Sequence, residues 1–98
     1  MKRLTYLSIA ELELSEAAVF YDEQQPGLGK SFLDAAQEAH SRIRSNPEMY
    51  PWYEKGIRSY RLLPFPYRLL YRDLRDRIQI VAVVHLSRRP GYWKDRLG

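Results

Sequence analysis

Ile78-Gln79-Ile80-Val81-Ala82-Val83-Val84 is the stretch that decides the fold, because six of its seven side chains are apolar. A strand with one face in water alternates apolar and polar residues, whereas a strand that is apolar at successive positions is covered on both faces. The stretch therefore predicts a central strand, which the pattern extends over residues 77–85.

Residues 57–63 and 67–72 come before this strand and are rich in β-branched, aromatic and leucine residues. A Pro-Phe-Pro segment separates them, and residues 73–76 form a polar break of the kind found in hairpin turns. Residues 3–8 alternate weakly and predict a first strand. Residues 47–55 predict an aromatic-rich loop in which Trp52 and Tyr53 cover the core.

Two helical patterns lie between the first strand and this loop. Ser8 and Glu11 have the spacing of a capping box, which predicts a helix that runs to about Gln24. A second helix begins at Leu28 and ends before Asn46-Pro47. The apolar faces are Leu14, Ala17, Ala18 and Tyr21 in the first helix, and Leu28, Phe32, Ala35, Ala36, Ala39 and Ile43 in the second.

The short connection between the helices predicts an antiparallel hairpin. The predicted class is α+β: an N-terminal strand and a helical hairpin packed on one face of a small antiparallel β-sheet. The other face is expected to be only partly covered and to carry charged side chains.

The 98 residues predict a single domain over residues 1–98, and the absence of cysteine excludes disulfides and thiolate metal sites. No apolar run approaches the roughly 20 residues that span a bilayer, and no signal peptide is evident, so we expect a cytoplasmic protein without membrane partners. Charge is uneven: residues 50–98 carry eleven Lys/Arg against four Asp/Glu. This basic half favours an anionic partner, a nucleic acid or an acidic protein segment.

The order of elements, together with particular residues along it, resembles the RelE/ParE family of toxins. The matching pieces are Glu16 to Tyr21, Pro26 to Leu33, Asn46-Pro47, Ile57-Arg58, Phe65 to Arg68 with Tyr71, and Val84 to Trp93. The resemblance is greatest to the ParE-type branch, whose members are described as plasmid-stabilisation toxins.

This resemblance implies the toxin of a type II toxin–antitoxin system, bound and neutralised by an antitoxin in a hetero-oligomer. RelE-like members cut messenger RNA on the ribosome without a metal, whereas ParE-like members inhibit DNA gyrase. No cofactor and no metal site is expected in either case. Fold alone does not separate the two activities.

Metal-free RNA cleavage needs a base, an acid and cations that stabilise the phosphorane. The candidate catalytic residues are His85, Arg61, Arg88 and Tyr92. Residues expected to bind nucleic acid or another target are Arg58, Arg68, Arg72, Arg89, Trp93 and Arg96. For Trp93 the alternative is packing on the domain, and His85 can instead order the end of its strand. His40 is expected to be structural.

The segment Pro26 to Ser31 superficially resembles a phosphate-binding loop but lacks the required spacing and follows a helix, which excludes that interpretation. Inhibition of gyrase is the favoured hypothesis. Ribosome-dependent RNA cleavage is the alternative, and an inactive relative that only binds its antitoxin is a third possibility.

Overall fold

The computed structural model describes residues 1–97, which form two helices and a five-stranded sheet. The elements in chain order are β1 (Arg3–Tyr6), α1 (Ser8–Gln24), α2 (Leu28–Ser45), β2 (Trp52–Glu54), β3 (Ile57–Arg61), β4 (Tyr67–Asp73), β5 (Arg77–His85) and a short 3₁₀ helix (Lys94–Leu97). The predicted α+β class and both predicted helices are confirmed.

The sheet has the strand order β1-β5-β4-β3-β2. Strands β2 to β5 are antiparallel neighbours, but β1 runs parallel to β5, with Tyr6 opposite Ile80. The sheet is therefore mixed, which corrects the expectation that all of its strands are antiparallel. A parallel pair needs a long crossover connection, and the helical hairpin that follows β1 provides the first part of it.

Two local predictions from the sequence were wrong. Trp52–Glu54 forms the short edge strand β2 instead of a loop, and three residues are too few to show a periodicity. Ser8 does not cap α1: Leu7 holds the cap position without a side-chain hydrogen bond. Leu7 still donates its amide to Ile80, so the chain passes from the sheet directly into the helix, and Ser8 is already helical.

Asp22 and a close backbone contact fix the helical hairpin. The Asp22 carboxylate accepts the amides of Gly27 and Gly29, at 2.9 and 3.3 Å, and so satisfies donors at the start of α2. A Cβ placed on Gly29 would lie 2.5 Å from the Ala18 carbonyl oxygen. Only glycine allows the helices to approach this closely.

Both faces of β5 are covered, which confirms the predicted central strand. The helices cover one face, over a core that includes Phe32, Ile43, Leu69, Tyr71 and Ile80. The C-terminal segment, residues 86–97, covers the other face, where Trp93 packs with Ile57, Leu70, Val81, Ala82 and Val84. The register shift between Leu70 and Tyr71 leaves Val81 as an extra residue, so that Val81 and Ala82 both belong to the Trp93 side.

Candidate functional site

A pocket of about 310 Å³ lies where α1, the end of β5 and the C-terminal segment meet. We call it the α1 pocket. Its walls combine two carboxylates, a histidine, an arginine and aromatic rings. The lining residues are Glu13, Glu16, Ala17, Phe20, Tyr67, Val83, His85, Arg88 and Tyr92.

Three of the four catalytic candidates, His85, Arg88 and Tyr92, line the α1 pocket. Arg61 does not join them. It is paired with Arg68, on the sheet face opposite the helices, because Arg68 follows Tyr67, which packs in the helix-side core. The structure therefore separates Arg61 from the group with which it was expected to act.

The hydrogen bonds of His85 determine which of its ring nitrogens is protonated. Its Nδ1 accepts the backbone N–H of Ser87 at 3.0 Å and lies 2.7 Å from the Ser87 hydroxyl. Because a backbone N–H can only donate, the neutral ring carries its proton on Nε2. Nε2 is thus a donor, and Nδ1, the nitrogen that could accept a proton, is already hydrogen-bonded to Ser87.

Tyr92 is held in the α1 pocket by charged neighbours on both sides. Its hydroxyl donates to Glu13 at 3.1 Å, and the Arg88 guanidinium lies 4.0 Å from the ring centroid. Burial, followed by the charge and the hydrogen bond of Glu13, raises the pKa of Tyr92 to about 12. A hydroxyl with a raised pKa is a poor proton donor at neutral pH.

Glu13 is the central residue of this region, and it was not among the sequence candidates. Arg96 donates from two terminal nitrogens to the two Glu13 oxygens, at 2.8 Å each, and Val83 donates its amide at 3.0 Å. Burial raises the pKa of Glu13, but the bonds from Arg96 and Val83 outweigh it, and the net shift is downward. One signal was available: Glu13 lies at helical spacing from Ala10 and Ala17, which are both buried.

Two residues expected to contact a target have internal roles instead. Trp93 is fully buried on the second face of the sheet, so its assignment to target binding is corrected in favour of packing. Arg96 uses its guanidinium on Glu13 and on the Val81 carbonyl, at 3.1 Å, and is therefore occupied within the chain. Together they hold the C-terminal segment against the sheet.

A second concavity, of about 540 Å³, lies at the β2–β3 edge of the sheet. We call it the aromatic groove. Arginines and tyrosines dominate its lining, together with an exposed tryptophan. The lining residues are Tyr50, Pro51, Trp52, Tyr53, Ser59, Tyr60, Arg61, Leu63 and Arg68. Trp52 is 61% exposed, so the prediction that it covers the core was wrong, whereas Tyr53 packs against Trp93.

The other arginine candidates differ in how far they are engaged. Arg58 stacks over Trp52, 3.7 Å from the ring centroid, and donates to the Tyr50 carbonyl at 2.7 Å. Arg72 donates to the Gln79 side chain at 2.8 Å. Arg89 is exposed in the C-terminal segment. These three residues do not converge on one point.

His40 contacts Tyr6, with its Nε2 2.5 Å from the tyrosine hydroxyl, and burial lowers the pKa of His40. This contact fits the structural role expected for His40. Within residues 1–97, no three His, Cys, Asp or Glu side chains are grouped so that they could hold a metal ion. Neither helix among these residues is long and apolar enough to cross a membrane.

A family model described as the ParE toxin of the type II toxin–antitoxin system parDE matches residues 5–90. The chain belongs to the ParE toxin family. The match includes both helices and all of β2 to β5, and therefore most of the α1 pocket and the whole aromatic groove. The match ends before Tyr92, Trp93 and Arg96, so the part of this ParE chain that packs on the second face of the sheet lies outside the matched region.

A solved structure described as the chromosomal ParDE TA system from P. aeruginosa contains a chain with a similar fold. The TM-score is 0.64 and the sequence identity is 19%, over 87% of this chain and 96% of that one. At this identity the likeness shows the ParE fold and no more. No curated protein sequence matches the chain.

Proposed function

We propose that this ParE-family toxin inhibits DNA gyrase and that a cognate antitoxin neutralises it by covering the outer face of α1. The observation that carries the proposal of a protein partner is the presence of apolar residues on the exposed face of α1 as well as on its core face. Ala10, Ala17 and Ala18 face the core, whereas Ile9, Leu12, Val19 and Phe20 are exposed on the helix.

A surface helix normally carries polar residues on the face away from the core, but α1 has four exposed apolar residues among its carboxylates. Val19 is 57% exposed and Phe20 is 53% exposed, and Phe20 also borders the α1 pocket. This surface favours burial against another protein, because exposed apolar patches of this kind mark interaction sites. The similar chain from P. aeruginosa comes from a toxin–antitoxin system, which supports an antitoxin as that protein.

Gyrase is favoured over messenger RNA because the groups needed for RNA cleavage are poorly arranged. The proton-accepting nitrogen of His85 is occupied by Ser87, the pKa of Tyr92 is raised, and Arg61 lies on the other sheet face. Membership of the ParE family, whose gyrase activity the resemblance implied, supports the same choice.

The test is a supercoiling reaction with purified gyrase and increasing amounts of the purified chain, run beside a cell-free translation reaction with mapping of messenger ends. We expect loss of supercoiling and intact messenger. Undiminished supercoiling, with ribosome-dependent cuts in the messenger, would instead establish the ribonuclease activity.

Ribosome-dependent cleavage is the second candidate, because His85, Arg88 and Tyr92 do converge in one pocket. His85→Ala separates the two activities: it should abolish cleavage of messenger RNA but leave inhibition of gyrase largely intact. If the parent chain affects neither supercoiling nor the integrity of the messenger, and its overproduction leaves growth normal, the chain is an inactive relative that only binds its antitoxin.

The antitoxin surface is tested by co-purification with the product of the adjacent gene. Leu12→Gln combined with Val19→Gln replaces two exposed apolar side chains on α1 without entering the core, and should weaken the complex at least tenfold. Met49→Gln, which also changes an exposed apolar residue but lies outside α1, is the matched control. Equal retention of all variants would show that the antitoxin binds elsewhere.

A further inference from the structure

Arg61 and Arg68 occupy directly opposite positions on β3 and β4. Residues paired in this way lie on the same face of the sheet, with side chains close enough to interact. Two like charges placed opposite each other destabilise a sheet. The pair therefore needs an explanation other than the stability of the fold.

Neither guanidinium is neutralised by a carboxylate within residues 1–97. The acidic side chains in the neighbourhood are already engaged: Glu54 pairs with Lys94 at 3.4 Å, and Glu38 pairs with Arg42 at 2.8 Å. Arg68 donates only to the neutral Ser59 hydroxyl, at 3.2 Å, and lies over the Tyr53 ring. The two positive charges are left for an external anion.

The walls around this pair are aromatic. Tyr53 lies beneath the Arg68 guanidinium, and Trp52 stands at the edge of the groove with more than half of its surface in solvent. Tyr50 and Tyr60 also line the groove, although their rings pack partly against the helix-side core. Arg58 stacks on Trp52 and holds the orientation of the ring. An exposed tryptophan that is held in place offers a flat apolar surface at little further loss of conformational entropy.

We infer that the aromatic groove binds single-stranded nucleic acid, with Arg61 and Arg68 on backbone phosphates and Trp52 stacked on a base. Grooves that combine positive charge along the backbone with aromatic stacking platforms are the usual means of holding single strands. This binding does not depend on the inhibition of gyrase.

An acidic peptide would also be attracted by the arginines, but it has no use for the aromatic walls, since carboxylates do not stack. A duplex keeps its bases stacked on one another and presents their faces only at its ends. The combination of two unpaired arginines with an exposed tryptophan in one groove of about 540 Å³ favours unpaired bases on a phosphate backbone.

The test uses the purified full-length chain and a fluorescein-labelled ten-nucleotide oligo(dT), with binding followed by fluorescence anisotropy over a range of salt concentrations. The site variant is Arg61→Gln with Arg68→Gln. The matched control is Arg3→Gln with Arg75→Gln, which also removes two arginine charges, but from exposed positions in β1 and in the β4–β5 turn. Both variants have the same net charge, so a difference between them reports position.

We expect the site variant to bind at least tenfold more weakly than the control. The slope of log affinity against log salt should fall by about 1.4 in the site variant, because each phosphate contact contributes about 0.7 for a single strand. The site variant should fold normally, since it removes an unfavourable pair, and circular dichroism melting verifies this. Trp52→Leu should weaken binding about tenfold without changing the salt slope.

Three outcomes would overturn the inference. The first is an absence of binding by the parent chain at low salt. The second is an equal loss in the site variant and the control, which would indicate a diffuse basic surface. The third is displacement of the oligonucleotide by a poly-glutamate peptide of matched charge at equal concentration, which would make the groove a protein interface. The assay contains neither gyrase nor ribosomes, so its result stands apart from that of the supercoiling reaction.

Discussion

The arginines at the α1 pocket and in the aromatic groove differ in whether a carboxylate neutralises them. Beside the α1 pocket, Arg96 pairs with the lining residue Glu13, with both Glu13 oxygens at 2.8 Å, and the pair is largely buried. In the aromatic groove, Arg61 faces another arginine across the strands. The first arrangement holds the chain together, whereas the second opposes folding and leaves charge available to a ligand.

This difference separates the part of the basic half that maintains the fold from the part that remains for recognition. The C-terminal segment is basic and aromatic in sequence, but its Trp93 packs against the sheet and its Arg96 donates to the Val81 carbonyl of β5. Strands β3 and β4 retain the unpaired charges of Arg61 and Arg68.

Trp93→Ala should destabilise the chain most, by about 3–5 kcal/mol, the usual range for removal of a fully buried large aromatic side chain. Trp93 is 0% exposed and is the largest side chain in the core on its face of the sheet. Urea denaturation followed by circular dichroism measures the loss. Trp93→Phe should retain most of the stability, because the indole Nε1 has no hydrogen-bond partner among residues 1–97. Similar losses in both variants would contradict this account.

Glu13→Gln should reduce the free energy of unfolding by roughly 3 kcal/mol, because removal of one member of a buried ion pair leaves the other charge uncompensated. Glu13 also holds the Val83 amide and the Tyr92 hydroxyl, so three contacts weaken together. Glu16→Gln is the matched control: it lies on the same helix, is exposed, and forms no salt bridge within residues 1–97. Equal midpoints in urea for the two variants would show that the pair contributes nothing.

The same residue predicts a dependence of stability on acid pH. The net pKa of Glu13 is lowered in the folded chain, although burial alone raises it, because Arg96 and Val83 stabilise the carboxylate. A group with a depressed folded pKa contributes stability above its unfolded value, about 4.3, and loses it as pH falls through the folded pKa. We therefore expect the stability gap between the parent chain and Glu13→Gln to be full at pH 6 and to narrow below about pH 4. A gap that is constant down to pH 2, measured by thermal melting, would contradict the shift.

Much of the fold followed from local pattern. The apolar run in β5, the helical spacing from Phe32 to Ile43 and the turn before Arg77 each gave the element that the structure has. The parallel pairing of β1 did not follow, because parallel and antiparallel partners show the same residue pattern in a strand of four residues. The direction in which β1 pairs with β5 is set by the path of the chain between the two strands.

The site was less predictable, because its residues meet through the fold and are distant in sequence. His85, Arg88 and Tyr92 are neighbours along the chain, and the structure places all three in the lining of one pocket. Glu13, which binds Arg96 across 83 positions, has no such link. Burial likewise decided the role of Trp93, for which the sequence left both stacking and packing open.

The smallest expected effect is the most direct test of the comparison between the two regions. Arg61→Glu converts the like-charge pair with Arg68 into an opposite-charge pair on the same face of the sheet. Opposite charges in such cross-strand positions contribute roughly 0.2–1 kcal/mol, so the variant should be slightly more stable than the parent chain while binding the oligo(dT) far more weakly. Arg75→Glu, in the exposed β4–β5 turn, controls for the change in net charge. If Arg61 serves recognition at some cost to folding, Arg61→Glu should increase the stability of the chain and decrease its affinity for the oligonucleotide. A variant that loses both would show instead that Arg61 supports the structure of the groove, and the contrast with Arg96 would disappear.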